Sequence, residues 1–199
     1  GGIYSANDGQ QILLSQKPDF NAFIPTNQDG TRGYLYTAWE DRPAGISQIE
    51  IEWNPTSNQW DVLSSQMLNL SSINGGWVLC FGTVSPWGSP LFSEELYFDD
   101  TEDWNNPNYH YHNDQQRLEA YLGNYPNPYD YGFIIEMEES DTNSPELTRH
   151  YTMGRYSHEN AQVMPDNCVL LVDTYETSCY LNRLFRKIKD IDYLFDGFV

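Results

Sequence analysis

The chain has 199 residues, 29 acidic against 10 basic, for a formal net charge of −19. A surface so acidic repels nucleic acid and anionic membranes and excludes both as partners; the length suits one domain with a real core and excludes two full ones. Aromatics at 15% argue against disorder, and no apolar run reaches the roughly 20 residues a membrane-crossing helix needs.

In chain order, residues 1–32 read as an extended N-terminal arm, punctuated by Pro18, Pro25 and Gly30, with one short strand at 11–14. Residues 34–39 (YLYTAW) form a strand ending at Glu40. After a Pro/Gly turn, 46–53 (ISQIEIEW) alternates as a half-buried strand does, and 59–63 returns as a third. Three antiparallel strands on short turns make a meander, the unit of a propeller blade. Residues 67–73 connect onward. The stretch 75–95, GGWVLCFGTVSPWGSPLFSEE, supplies two more strands: an apolar run through Trp77-Val78-Leu79 ending at Cys80, a Gly/Ser/Pro turn, and a second run ending at Glu94 and Glu95. Soft sulfur and hard carboxylate oxygen converging on one mouth suit a site for more than one kind of metal ion.

Residues 96–108 are an acidic surface loop; the run 99–103 lacks the Gly and terminal Glu of an EF-hand loop. A helix is expected over 110–122, stopped by Gly123, with His110 and His112 as surface residues. Strands follow at 133–137, 147–153, 161–164, 169–172 and 180–188, then a mixed end at 189–199. The six tryptophans read as packing between sheets. Three cysteines leave at least one unpaired: Cys168 and Cys179 flank a hairpin and suit a disulfide in an oxidising compartment, and Cys80 is left either as a buried thiol or as a metal ligand. The expected fold class is all-β, a sandwich or propeller, with one short helical insertion. The chain opens on Gly rather than Met, so a processed or excerpted polypeptide is expected.

Three patches in order resemble the PhoX-type alkaline phosphatases: GYLYTAWEDRPAGISQIEI at 33–51, CFGTVSPWGSPLFSEE at 80–95, and YGFIIEM leading to MGRYSHE across 131–159. The resemblance implies an incomplete β-propeller over 33–199, with a central site for iron and calcium that hydrolyses phosphate monoesters. It implies Cys80 as a thiolate ligand of iron and Glu159, after His158, as an acid ligand of the same cluster. Glu94, Glu95 and Glu40 are implied as further ligands, and Asp173 as a weaker match. Glu94 and Glu95 point to opposite faces if both lie in a strand. Arg155 is a candidate to orient phosphate bidentately, and its place in the motif fits packing equally well. For His158 the plain reading is a buried imidazole on a backbone carbonyl.

The departures are Ala38-Trp39 before Glu40, Ser89-Pro90 in the middle element and a lone Thr174 after Asp173. The family's propeller continues well past this chain's last residue, so protein partners covering an open sheet edge, or an excerpt of a longer chain, are expected. Two functions follow: an extracytoplasmic phosphomonoesterase acting on a phosphate ester, or a non-catalytic β domain serving as a structural subunit. A carbohydrate-binding module rests on aromatic content alone.

Overall fold

A computed structural model describes residues 1–95, 101–109, 111–165, 168–173, 184–188 and 191–195. The chain opens with a hairpin of β1 (Gly2–Tyr4) and β2 (Gln11–Leu14). The first four-stranded sheet is an antiparallel meander of β3 (Pro18–Pro25), β4 (Arg32–Trp39), β5 (Gly45–Asn54) and β6 (Gln59–Met67). The second contains β7 (Leu79–Val84), β8 (Pro90–Glu94), β9 (Ile134–Glu138) and β10 (Glu146–His150). Between β8 and β9 the chain inserts α1 (Thr101–Asn105) and α2 (His112–Leu122), the latter ended by Gly123 in the left-handed conformation. The third sheet is β11 (His158–Val163), β12 (Cys168–Asp173), β13 (Leu184–Ile188) and β14 (Ile191–Phe195).

The opening strands lie side by side, β7 packing against β3 and against β11. Three meanders with their first strands at a shared hub make an incomplete all-β propeller, as expected. Pro18–Pro25 falls within the residues expected to form an arm, yet it is the hub strand of the first blade. Phe20, Ala22 and Ile24 are buried on alternate positions, and the apolar Phe23 between Ala22 and Ile24, exposed on the other face, hides that period of two in the sequence. Pro18 stands at the first strand position, where the missing N–H breaks no ladder. The expected strand through Trp77 begins later, at Leu79, and residues 101–105 of the expected acidic loop are helical.

Phe20, Ala22, Ile24, Tyr36, Ala38 and Ile46 pack on Leu79, Phe92, Ile135 and Met137, joining the first two blades. Each fully buried large side chain there contributes about 1.5–3 kcal/mol. A Cβ on Gly82 would collide with the Leu91 carbonyl and the Phe20 ring, so only glycine lets these two blades meet so closely at the hub. Leu91 and Ile134 pack on Ala161, Val163 and Val169 of the third blade. The insertion seats Trp104, Leu118 and Tyr121 on Trp77, Val78 and Tyr131, with Trp104 stacked on Tyr131 at 5.6 Å. The first blade's other face presents Phe23, Trp53 and Trp60, ring centroids 5.5 and 5.7 Å apart, and β6 is exposed along nearly its whole length. A sheet apolar on both faces has the composition of one layered between two others. Among the described residues no helix is long and apolar enough to cross a membrane.

One polar contact crosses the second blade. Glu94, at the end of β8, pairs with Arg149 of β10 at 2.6 Å, with the two side chains 0% and 1% exposed. Its oxygens also accept the N–H groups of Trp77 (3.0 Å), Gly132 (3.0 Å) and Phe133 (3.2 Å). Arg149 donates in addition to the carbonyls of Ile73 and Gly75. Desolvation pushes the Glu94 carboxyl above its ordinary range, opposed by the guanidinium and the backbone donors. Against the same desolvation, the charge and hydrogen bond of Glu94 raise Arg149. Removing one partner strands a buried charge, so Arg149→Met is expected to lower unfolding free energy by about 3–5 kcal/mol in urea titrations; a loss under about 1 kcal/mol would contradict a buried pair.

Candidate metal centre

The hub site follows from strand register. In each blade the first two strands pair so that Pro18 faces Trp39, Leu79 faces Glu94, and His158 faces Asp173. Asp19, Cys80 and Glu159 are therefore equivalent, each the second residue of its blade's hub strand. Glu40 and Glu95 are equivalent too, each the first residue beyond its blade's second strand. Position 174, the third of that set, lies outside the described residues.

The equivalence brings the side chains together. Ligand atoms of Glu40, Cys80 and Glu95 lie within 4.8 Å of one another. The Cys80 thiol is 3.5 Å from Asp19 Oδ2, and Glu159 shares a hydrogen bond with the same thiol. Cys80 and Glu95 are buried; Asp19, Glu40 and Glu159 are half-buried. Sequence reasoning missed Asp19, one acid in a polar run. Its signal was a carboxylate at the head of an alternating apolar strand, the place Cys80 and Glu159 occupy in theirs.

The remaining expected ligands lie elsewhere. Glu94, one residue from Glu95 and facing the other way, has its oxygens occupied by Arg149 and three backbone N–H groups, leaving no lone pair for a cation. Asp173 stands at the register position of Glu94 and Trp39, not that of Glu95. Arg155 donates from Nε to the Tyr131 carbonyl at 3.0 Å and from Nη2 to that of Pro128 at 3.4 Å. His158 is buried with Nε2 3.1 Å from the Gly154 carbonyl, its plain reading. His112 opens α2, while His110, the 99–100 portion of the acidic run, and Cys179 with the disulfide expected of it lie outside the described residues.

The donors oppose one another's charge. Burial pushes the Cys80 thiol well up, reinforced by Glu159, Asp19 and Glu95. Desolvation, then Glu95 and Asp19, raises the Glu40 carboxyl, with Lys17 and Arg42 opposing. Glu159 is raised by desolvation and by Glu95 and Asp19, its hydrogen bond to Cys80 opposing. One thiol and several carboxylates that resist ionising together form a donor set a cation would satisfy: sulfur suits iron, and carboxylate oxygens suit iron or calcium. The set fits the implied metals without selecting one.

Fold and site together define a propeller with an acidic, thiol-bearing hub. The family model of the alkaline phosphatase PhoX matches residues 14–178, and the chain belongs to that family. Among solved structures it is similar to Pseudomonas fluorescens PhoX in complex with vanadate, a transition state analogue, at 16% identity and a TM-score of 0.53. That match covers 82% of this chain and 40% of the other, so the chain spans well under half of that structure's length. No curated protein matches the chain.

Glu40 and Glu159 have folded-state pKa values above their ordinary 4.5, so the metal-free protein gains stability where they are protonated and loses it as pH rises through the raised values. Thermal melts of metal-free protein are expected to show a midpoint falling as pH rises from the ordinary carboxylate range through the raised values, and calcium is expected to raise it more above those values than below them. A midpoint that calcium leaves unmoved throughout that range would mean these carboxylates bind none.

Proposed function

We propose that this chain carries the hub of a metal-dependent phosphate monoester hydrolase of the PhoX type. The observation carrying the reading is the convergence of Cys80 with Asp19, Glu40, Glu95 and Glu159 from three blades. Family membership supports it, as does the likeness to a Pseudomonas fluorescens PhoX that holds vanadate as a transition state analogue.

Cys80 would hold iron, and the carboxylates iron or calcium. Bound there, these cations would draw in phosphate oxygens and stabilise the charge of the transferring group. The chain's own residues do the rest. Its four hub carboxylates set the charge, and burial of Cys80 and Glu95 keeps bulk water from two donors. Lys17 and Arg42, whose fields reach Glu40, place positive charge beside the acids and favour an anionic substrate at the rim. Arg42 lies 4.3 Å from the Tyr111 ring centroid and 5.7 Å from that of Trp77, which limits its motion. An extracytoplasmic location fits an enzyme that scavenges phosphate from esters. In the same reading, a further protein surface covers the apolar outer face of the first blade.

Purified protein is expected to contain iron and calcium by elemental analysis and to hydrolyse p-nitrophenyl phosphate. Cys80→Ala is expected to lose the iron, and Asp19→Asn to cut kcat/KM at least about tenfold. Protein free of both metals that stays inactive when they are supplied would overturn the reading.

A further inference from the structure

The backbone between Trp77 and Cys80 takes an unusual course. Val78 is wholly buried with φ at 45°, a left-handed conformation that a β-branched residue adopts only when its surroundings force it. Its N–H donates to the Asp41 carbonyl at 3.0 Å. Its own carbonyl accepts two amides, that of Cys80 at 3.0 Å and that of Glu95 at 2.9 Å. One oxygen thus grips the residues that bring the thiol and a buried carboxylate to the hub from two different strands. The β7–β8 register shifts just beyond, between Leu79 and Gly82. The Val78 isopropyl group belongs to the cluster of Trp77, Trp104, Leu118 and Tyr131, whose packing can offset a strained φ.

We propose that Val78 is the positioning residue of the metal centre: its buried side chain clamps a left-handed turn from which its carbonyl fixes Cys80 against Glu95. The inference rests on the metal reading of the hub. Val78 touches no substrate; it acts through the two amides it holds.

Two substitutions separate this role from plain packing. Alanine removes the anchor but keeps the Cβ that makes the left-handed turn costly, so the turn relaxes. Glycine removes the anchor and the cost together, so the turn survives. A residue that merely fills space predicts the reverse, because glycine leaves the larger void and the looser chain.

The full chain, stripped of metal by chelator, is titrated with Co(II), following the thiolate-to-cobalt absorption that Cys80→Ala removes. Val78→Ala is expected to weaken Co(II) binding about tenfold and diminish the band, and Val78→Gly to recover affinity to within about threefold of the parent. Metal-free melts supply a second readout: Val78→Gly is expected to melt above Val78→Ala, against the ordinary order of the two residues. Glycine binding cobalt no better than alanine, or melting below it, would overturn the inference, as would two variants indistinguishable from the parent. If the parent shows no thiolate–cobalt band, the metal reading fails, and the melting order alone decides whether the turn is strained.

Discussion

The ion pair between Glu94 and Arg149 fixes more of this molecule than its size suggests. Two acids stand side by side at the end of β8, and a strand sends neighbouring side chains to opposite faces. Glu94 is taken inward by a guanidinium and three backbone N–H groups. Glu95 is left with the other direction, toward the hub. Arg149 reaches on to the carbonyls of Ile73 and Gly75, at the entrance to β7. One buried contact therefore aligns the end of one strand with the approach to its neighbour, where carboxylate and thiol meet.

At the hub the energetics run the other way. Inside the second blade a charge is matched to its opposite; between blades, like charges are gathered. Glu40, Glu159 and Cys80 are all shifted toward their protonated forms by desolvation and by their neighbours. Such an arrangement persists because the donors are held by three blades whose own packing is sound. The Phe20–Phe92 contact, ring centroids 5.5 Å apart, is part of the core that holds the first two blades together behind the acids.

Much of the fold was legible in the sequence, because strands that alternate between Gly/Pro turns are a local signal. Residues 46–53 show it by their alternation and 133–137 as a short, mostly apolar run after Gly132, and Gly123 marked the end of α2 as its left-handed φ requires. The hub strand Pro18–Pro25 was obscured by the apolar Phe23 on its outward face and by two prolines, so it passed for an arm. Cys80, Glu95, Glu40 and Glu159 could be named from the family motifs. Asp19 lies outside those motifs, and its equivalence with Cys80 and Glu159 emerges only from the register shared among blades. Glu94 was named with them because its neighbour was, and adjacency in sequence says little about direction in a strand. Arg155 sits in a motif beside Glu159, and two of its nitrogens donate to the carbonyls of Tyr131 and Pro128.

The placement of Asp19, Cys80 and Glu159 at one matching spot in successive blades has an evolutionary consequence. Each of these side chains could be exchanged within its own blade, because no blade supplies more than one residue of that set. Were such a hub to bind metal, exchanging its sulfur for an oxygen would move its preference from softer transition-metal ions toward alkaline-earth ions, with the scaffold unchanged. Metal choice in such a ring can drift with the environment's supply by single codon changes, while the architecture stays constant.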